Sequence, residues 1–372
     1  MPLLFSNLPI APSLQESLAR QKYTHPTPIQ EKAIPIALEG KDIVGIAQTG
    51  TGKTLAFGIP LIQRLSVLKG QALIVLPTRE LAIQVEEVLR KIGGPIGLRL
   101  AVLIGGTGMG PQMSSLRARP HVVVATPGRL IDHLEQKHLT LQNVKILVLD
   151  EADRMLDMGF APQLKRIMDA LPRERQTMLF SATMPPEIMQ MATKYMKLPL
   201  RIEVAPAGTT AERVSQEIFI VDKHEKTRLL QKILAKYAGS TLVFTRTKFG
   251  AKRLARQIRD MGHSASEIHG NRSLGQRKDA LEGFKRGKYR VLVATDIASR
   301  GIDVIGISLV VNYDLPTDAG DYVHRIGRTA RAGAEGQAIS FVTPDQKRDL
   351  RDIERLIRKQ LPVTHHSSTR HI

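Results

Sequence analysis

The chain has no cysteine and no tryptophan, and aromatic residues make up only 4% of its 372 residues. The absence of cysteine excludes disulfides and thiolate zinc sites and is compatible with a reducing cytoplasm. With so few rings, a surface that stacks every base of a single strand is not expected. No apolar run approaches the roughly 18 residues of a membrane-spanning helix, and residues 1–19 lack the lysine or arginine of a secretory signal. We therefore predict a cytoplasmic protein without a membrane partner.

Acidic residues are also in deficit. The 54 Lys and Arg outnumber 35 Asp and Glu, which gives a formal net charge of +19 and a pI near 10.2. The excess is 24 against 17 up to residue 205 and 30 against 18 beyond it. Such a balance favours a polyanionic partner, above all nucleic acid, contacted through its sugar–phosphate backbone. A solvated basic surface that only aids solubility is the alternative.

Short apolar runs alternate with helical stretches in two successive halves, and the length suits two domains. This alternation predicts an α/β fold with two tandem doubly wound parallel-sheet domains. The predicted strands are residues 43–47, 72–76, 99–104, 121–125, 146–149, 177–180, 217–221, 241–244, 265–268, 290–293, 308–311 and 338–341. A basic helix is predicted over residues 346–360. The predicted divisions are residues 1–204, a linker of linker-like composition at 205–213, residues 214–361 and a disordered tail at 362–372.

A glycine-rich segment, residues 42–54, carries the most informative motif. The run at 43–47 predicts a buried strand, Gly50 and Gly52 break it, and a helix is predicted from Thr54. Glycines allow backbone N–H groups to converge on phosphates, and a helix N-terminus adds partial positive charge. The segment therefore predicts a triphosphate site.

Lys53 would neutralise the β- and γ-phosphate oxygens, and the Thr54 hydroxyl would hold Mg²⁺. The spacing matches the phosphate-loop pattern except at Ala47, where the first glycine is usual, and an ordinary glycine-rich turn is the alternative. The predicted phosphate-loop residues are Ala47, Gln48, Thr49, Gly50, Thr51, Gly52, Lys53 and Thr54.

The other predicted strands of the first half are also followed at once by polar or glycine-rich motifs. These motifs are residues 77–80, 105–106, 126–129, 150–153 and 181–183. Because ligands bind at the carboxyl ends of strands in open α/β sheets, the motifs should face one crevice. Asp150 could hold Mg²⁺ through water, and Glu151 beside it could orient or deprotonate an attacking water. An acidic pair alone is weak evidence, but here it follows a phosphate loop.

With Asp150-Glu151-Ala152-Asp153 in this setting, the sequence resembles the DEAD-box RNA helicases of superfamily two. The resemblance covers nearly the whole chain, from Phe5 to about Thr343. It implies two RecA-like domains and an ATP-dependent RNA helicase that uses ATP with Mg²⁺. The absence of extensions is similar to the bacterial branch, including its RhlE-like members.

Residues 3–31 look like the family's adenine-recognition motif. The resemblance implies that Gln30 reads the adenine edge bidentately and that Tyr23 stacks on the ring, supported by Phe5. Lys22 stands where the family usually has glycine, so the backbone could differ there. Without the resemblance, Gln30 would be taken for a surface residue.

Roles in hydrolysis follow from the same resemblance. Asp150 would hold the metal through water, and Glu151 would be the catalytic base. Asp153, Ser181 and Thr183 are similar to the residues that link hydrolysis to domain movement.

The second half contains the stretch His-Arg-Ile-Gly-Arg-Thr-Ala-Arg. It resembles the motif that carries two arginine fingers, Arg328 and Arg331, although Ala330 replaces a commoner glycine. An arginine that reaches the γ-phosphate stabilises transition-state charge. By the same resemblance, Asp303 would contact the ribose and His324 would connect the finger motif to the DEAD motif. Without it, the arginines would be taken for a solvated helix face.

RNA contacts are implied for hydroxyls, backbone amides and arginines, groups that suit phosphates and sugars more than base edges. These residues are Thr78, Arg79, Gly106, Thr126, Arg129, Arg246, Gly270, Arg277 and Thr295. A basic stretch of helical spacing is either a solvated face or extra RNA surface, and it comprises Lys248, Lys252, Arg253, Arg256 and Arg259.

Because the motifs are divided between the halves, hydrolysis is expected to need domain closure favoured jointly by ATP and RNA. The expected RNA partner is a single strand or short duplex bound with little sequence specificity, and protein partners could direct targeting. Three alternatives stay open: a DNA translocase of the same superfamily, an RNA clamp that rarely unwinds, and a small-molecule P-loop kinase.

Overall fold

The computed structural model describes residues 3–48, 50–204, 214–296, 306–329, 336–357 and 359–365. The chain divides into two compact units, Met1–Pro206 and Ala207–Ile372. Each unit contains one seven-stranded sheet in which every described pairing is parallel. The predicted α/β class with two parallel-sheet domains is therefore confirmed. The predicted linker lies outside the described residues.

The first unit alternates strands and helices from its second helix onward. Its helices are α1 Pro12–Arg20, α2 Pro28–Leu38, α3 Lys53–Leu65, α4 Arg79–Gly93, α5 Met109–Arg117, α6 Pro127–Glu135, α7 Ala152–Asp157, α8 Ala161–Ala170 and α9 Pro186–Tyr195. Its strands are β1 Ile43–Ile46, β2 Gln71–Val75, β3 Leu100–Leu103, β4 Val122–Ala125, β5 Val144–Leu149, β6 Gln176–Ser181 and β7 Leu200–Glu203. Short 3-10 turns cover Phe5–Asn7 and Gly94–Ile96.

The second unit repeats this alternation. Its described helices are α10 Lys226–Lys236, α11 Lys248–Asp260, α12 Leu274–Lys285, α13 Ala319–Ile326 and α14 Lys347–Ile357. Its strands are β8 Val214–Ile220, β9 Thr241–Phe244, β10 Ala265–Ile268, β11 Val291–Ala294, β12 Leu309–Asn312, β13 Gly336–Val342 and β14 Val363–His365. The predicted basic helix at 346–360 corresponds to α14, which a 3-10 turn at Pro344–Gln346 precedes.

The two sheets have the same strand order. The first runs β3-β4-β2-β5-β6-β1-β7, and the second runs β10-β11-β9-β12-β13-β8-β14. Each strand of the second sheet therefore occupies the place of the strand seven earlier. Strand burial explains the apolar runs, since alternate residues of β9 lie in separate buried clusters, Leu242 and Phe244 in one and Val243 in the other. Buried on both faces, such a strand needs no polar residue.

Two strands lie where none was predicted. In β7 only Ile202 is buried, and β14 is short. The prediction of a disordered tail from residue 362 is wrong for residues 363–365, because β14 pairs with Ile218–Ile220 of β8. The backbone N–H of Ile218 also donates to the Pro362 carbonyl at 2.9 Å. This edge pairing joins segments that are more than 140 residues apart in sequence, so no local sequence pattern predicts it.

Lys22 has a left-handed backbone, with φ +62°. It follows α1 in a Schellman turn, in which the Lys22 N–H donates to Ala19 and the Tyr23 N–H donates to Leu18. This conformation suits glycine, because a Cβ atom is strained there. The backbone therefore keeps a glycine-like geometry although the residue is lysine.

We expect Lys22→Gly to raise the free energy of unfolding by about 0.5–1 kcal/mol, because it relieves a left-handed non-glycine residue. Thermal unfolding of the full chain would measure the change. Lys22→Ala is the matched control, since it removes the charge but keeps the Cβ atom, and it should give no gain. An equal gain from alanine would attribute the effect to charge.

Candidate functional site

The predicted phosphate loop connects β1 to α3. Gly50 and Gly52 have φ values of +87° and +89°, and α3 begins at Lys53, one residue before the predicted start. The Lys53 side chain is 6% exposed, and its Nζ donates to the Ala47 carbonyl at 2.9 Å. The same Nζ lies 3.9 Å from Oδ1 of Asp150. The loop thus curls around one ammonium group beside a carboxylate, while Thr49 lies outside the described residues.

Gln30 forms hydrogen bonds with this loop. Its Oε1 accepts from the Thr27 backbone N–H at 2.9 Å, and its Nε2 donates to the Gly52 carbonyl at 2.9 Å. The Thr27 hydroxyl donates to the Thr51 carbonyl at 2.7 Å. A Cβ atom at residue 52 would lie 2.3 Å from Nε2 of Gln30, so glycine is required by close approach as well as by φ. Each amide atom of Gln30 keeps capacity for one further bond, which reading adenine would use.

Phe5 and Tyr23 lie near each other through the backbone, because the Phe5 N–H donates to the Thr24 carbonyl at 3.1 Å. Phe5 is buried and Tyr23 is 37% exposed. Tyr23 therefore presents a ring that a planar ligand could contact, and Phe5 lies in the core beneath that segment.

The acidic pair follows β5 and is almost fully enclosed. Asp150 and Glu151 are each 4% exposed. Burial raises the pKa of Asp150 from 3.8 to about 6, against the lowering effect of Lys53 and with a further increase from Glu151. Glu151 has φ +53° and forms a buried ion pair with Arg154, a residue that the sequence analysis missed. The spacing of three residues between Glu151 and Arg154 was the sequence signal for this ion pair.

We expect Asp150→Asn to stabilise the ligand-free protein by about 3 kcal/mol at pH 7.5 while it abolishes ATP hydrolysis. The unfolded chain loses the Asp150 proton near pH 3.8 and the folded chain near pH 6. Between these values a rise in pH favours the unfolded state, and above pH 6 the penalty is constant. The stabilisation should therefore be smaller at pH 4.5 than at pH 7.5. Urea unfolding at both pH values measures it, and equal effects would contradict the buried-charge explanation.

Asp153 connects two of the predicted motifs. Its Oδ2 accepts from the Thr183 hydroxyl at 2.8 Å and from the backbone N–H groups of Ala182 and Thr183 at 3.1 and 2.8 Å. Its own N–H donates to the Ser181 hydroxyl at 3.2 Å. The residues predicted to couple hydrolysis to movement, Asp153, Ser181 and Thr183, thus form one hydrogen-bonded cluster.

The predicted RNA residues of the first unit also lie together. A Cβ atom at Gly106 would lie 2.0 Å from NH1 of Arg79, so the guanidinium rests on the glycine backbone. Arg129 donates to the Thr107 carbonyl at 3.1 Å, on the other side of the same loop. Thr78 caps α4, its hydroxyl accepting from the backbone N–H three residues on at 3.3 Å. Thr126 precedes α6 and is buried.

The strand order divides the predicted site residues of the first unit into two sets at the carboxyl ends of the strands. The phosphate loop, the acidic motif and residues 181–183 follow β1, β5 and β6, whereas the predicted RNA residues of this unit follow β2, β3 and β4. Because the sheet runs β3-β4-β2-β5-β6-β1, the two sets occupy adjacent halves that meet between β2 and β5.

In the second unit, predicted RNA residues occupy the equivalent half. Arg246, Gly270 and Thr295 follow β9, β10 and β11, and Arg277 lies on α12. The Arg246 N–H donates to Asp314 at 3.1 Å, and its NH2 donates to the Leu315 carbonyl at 3.4 Å.

The other half of that edge has a counterpart of the phosphate-loop lysine. Lys226 begins α10 as Lys53 begins α3, and its Nζ donates to the Tyr313 carbonyl at 2.8 Å and to Asp314 at 3.1 Å. A cavity of about 930 Å³ lies there, with Lys226, Tyr313 and Asp314 in its lining. Residues 221–226 contain no glycine, so no loop can wrap a phosphate.

The predicted finger motif lies on and after α13. Arg325, which the sequence analysis did not single out, is 2% exposed, and its NH2 donates to Asp296 at 2.7 Å. Arg328 is 3% exposed, and its Nε donates to the His324 carbonyl at 3.1 Å. Arg325 thus anchors α13, which ends two residues before Arg328, to Asp296 after β11. Arg331, Ala330 and Asp303 lie outside the described residues.

Two family models match the chain. Residues 27–191 match the DEAD/DEAH box helicase model, and residues 225–333 match the helicase conserved C-terminal domain. These matches cover more than half of the sequence. The chain belongs to the DEAD-box RNA helicases. The kinase alternative is therefore excluded, and this helicase is an ATP-hydrolysing enzyme that acts on RNA.

Curated relatives agree with this assignment. The helicase is 44% identical to the ATP-dependent rRNA helicase RRP3 of Debaryomyces hansenii, over 96% of this chain and 76% of that protein. It is 45% identical to the ATP-dependent RNA helicase DbpA of Bacillus subtilis, over 95% of this chain and 74% of that protein. The RhlE-like subgroup is not supported by these relatives and stays a prediction.

Solved structures match both units. S. cerevisiae Dbp5 bound to RNA and ADP BeF3 has a TM-score of 0.86 and 32% identity, covering 97% of this chain and 95% of that chain. Mss116p bound to ssRNA and AMP-PNP has a TM-score of 0.91 and 29% identity, covering 99% and 80%. The sheets of the helicase are thus RecA-like. No helix within its described ranges combines the length and apolar character needed to cross a membrane.

Proposed function

We propose that this helicase couples RNA-stimulated ATP hydrolysis to local separation of short RNA duplexes and to remodelling of RNA–protein complexes. The observation that carries the proposal is the Asp153 cluster. Asp153 belongs to the acidic motif, and its hydrogen bonds hold residues 181–183. The cluster lies after β5 and β6, next to the strand ends that carry the RNA residues. A change in the nucleotide site would therefore reach residues 181–183 through hydrogen bonds, and β5, which leads into the acidic motif, is the direct neighbour of β2, which leads to Thr78 and Arg79.

Within the nucleotide site, we propose that Lys53 binds the β- and γ-phosphates and that Glu151 accepts a proton from the attacking water. Gln30 and Tyr23 would bind adenine. Mg²⁺ is usually held by one or two carboxylates together with substrate phosphates. Asp150 and the Thr54 hydroxyl supply the hard oxygen donors for it, and the ion would offset the negative charge of the phosphates.

The second unit would complete hydrolysis. We propose that Arg328 and Arg331 stabilise charge on the γ-phosphate in the transition state, that Asp303 contacts the ribose, and that His324 links the finger motif to the acidic motif. The phosphate-loop lysine, the two carboxylates and the glycine-rich loop belong to the first unit, and the two arginines belong to the second. Hydrolysis would therefore require domain closure, and RNA and ATP would raise each other's affinity by the same factor.

RNA would be bound through phosphates and 2′-hydroxyls, with little dependence on sequence. A closed state that bends one strand would be incompatible with an A-form duplex and would separate a few base pairs without translocation. Phosphate release would then reopen the protein. Target choice would depend on protein partners or the basic surface, and a cytoplasmic location remains a prediction.

ATPase stimulation by RNA and DNA single strands of one sequence tests the choice of nucleic acid. We expect strong stimulation by RNA and little by DNA, and equal stimulation would contradict recognition of the 2′-hydroxyl. Release of a labelled strand from a short duplex, measured over several turnovers, separates unwinding from an RNA clamp. A clamp would hydrolyse ATP without releasing the strand.

A further inference from the structure

Phe249 is an exposed ring in a protein with few rings. It is the second residue of α11 and is 71% exposed. The opposite face of α11 buries Ala251, Leu254, Ala255 and Ile258, so the helix packs without it. Single exposed apolar residues are common on protein surfaces, and exposure alone assigns no role to Phe249. The charges around Phe249 and the position of α11 after β9 do suggest a role.

The ring is surrounded by positive charge. The Nζ of Lys248 lies 5.3 Å from the centroid of the Phe249 ring. Lys252 and Arg253 follow three and four residues later on α11, which places them beside Phe249 on the helix surface, and both are exposed. Aromatic rings flanked by cations bind single strands by stacking a base and pairing with its phosphates. A protein partner of this surface would have to be acidic.

The repeated strand order gives Phe249 a position next to predicted RNA contacts. Strands β2 and β9 hold the same place in their sheets, and each leads into a helix capped by a threonine hydroxyl. Thr78 and Arg79 of the first unit thus correspond to Thr247 and Lys248. Phe249 follows immediately, where the first unit has an acidic residue.

A buried histidine marks the neighbouring loop. His269, just before Gly270, is 4% exposed, and neither ring nitrogen has a hydrogen-bond partner within the described residues. Burial is the main cause of its lowered pKa, which Glu267 opposes and which the charges of Arg272, Lys252 and Lys248 lower further. The helix α11 packs against β10, so its first turns lie on the same side of the second unit as the loop that contains Gly270.

We propose that Phe249 stacks one base of a bound single-stranded RNA, while Lys248, Lys252 and Arg253 bind the adjoining phosphates. The proposal rests on the RNA binding proposed above and adds a base contact to a surface otherwise predicted to bind only backbone. Stacking tolerates any base, so the contact would add affinity without sequence specificity.

The absence of tryptophan allows a direct test. Phe249→Trp would introduce the only tryptophan of the chain, so its fluorescence would report on this position alone. We expect quenching when single-stranded RNA binds and none with an abasic ribose–phosphate polymer of equal length. Leu356→Trp on α14, at a residue that is 49% exposed, is the matched control and should respond to neither.

Affinity measurements complete the test. We expect Phe249→Ala to weaken single-stranded RNA binding about 5- to 30-fold, since stacking contributes that order of affinity per base. Phe249→Leu, which stays apolar but has no ring, should weaken it nearly as much. The KM for ATP measured at saturating RNA should not change in either variant, and circular dichroism confirms folding.

Three results would overturn the proposal. One is unchanged tryptophan emission under conditions where RNA still stimulates ATP hydrolysis, which would leave the helicase function intact. Another is equal quenching by the abasic polymer, which would indicate backbone electrostatics. The third is unaltered affinity of Phe249→Ala for single-stranded RNA.

Discussion

Glu151→Gln should lower the rate of ATP hydrolysis by about 10²–10⁴-fold and leave ATP binding intact, because an amide cannot accept the proton that a general base removes. The substitution preserves side-chain shape, and its amide oxygen can still accept a hydrogen bond from Arg154, the buried ion-pair partner of Glu151. A protein that binds both ligands but cannot hydrolyse ATP should stay bound to RNA. Single-turnover hydrolysis and the rate of RNA release in excess ATP measure both effects.

Glu187→Gln is the control for this substitution, because Glu187 lies in the first turn of α9 and belongs to none of the predicted motifs. It should hydrolyse ATP and release RNA at native rates. Thermal unfolding of Glu151→Gln establishes that Arg154 tolerates the loss of its charged partner. Release of RNA at the native rate by the folded Glu151→Gln variant, with ATP bound, would refute the coupling of hydrolysis to release.

Arg328→Ala should reduce RNA-stimulated hydrolysis by about 10³–10⁵-fold, the effect of removing an arginine finger. The phosphate loop and both carboxylates belong to the other unit, so ATP affinity should be nearly unchanged. Arg328→Lys should restore little activity, because lysine keeps the charge but lacks the planar fork of the guanidinium. Steady-state kinetics with saturating RNA and fluorescent-nucleotide titration separate the rate from the affinity.

Arg286→Ala serves as the matched control for Arg328, since the Arg286 side chain is 81% exposed and lies 4.0 Å from Glu282. It removes an arginine from the same unit and should leave the rate unchanged. If Arg328→Ala weakens ATP binding as much as it slows hydrolysis, the residue contributes to ground-state binding and the finger assignment is wrong.

The sequence predicts the central strands well because burial on both faces imposes continuous apolar runs, as in β9 and β5. Edge strands lack such continuous apolar runs and are therefore not predicted in this way. In β7 the side chains of Leu200 and Arg201 face solvent, and β14 depends on a partner far away in sequence. The order of strands also has no local signal, so the division of the first sheet edge into nucleotide and RNA halves emerges only from the structure.

Sequence motifs predicted which residues belong to the candidate site, but they did not predict the contacts that these residues make. Gln30 was expected to read adenine, and the structure adds that it caps α2 and holds the Gly52 carbonyl. The signal was present, because Thr27-x-x-Gln30 is a capping-box pattern before an apolar helix. Arg154 and Arg325 were missed for a different reason: a basic residue is usually solvated, and only the folded chain reveals that both are buried against carboxylates.

The two units share one strand order, and Lys226 pairs with Asp314 after β12 as Lys53 lies beside Asp150 after β5. The difference between the two units is the loop before the lysine, because residues 221–226 contain none of the glycines that precede Lys53. Nucleotide titrations should therefore saturate at one molecule per chain.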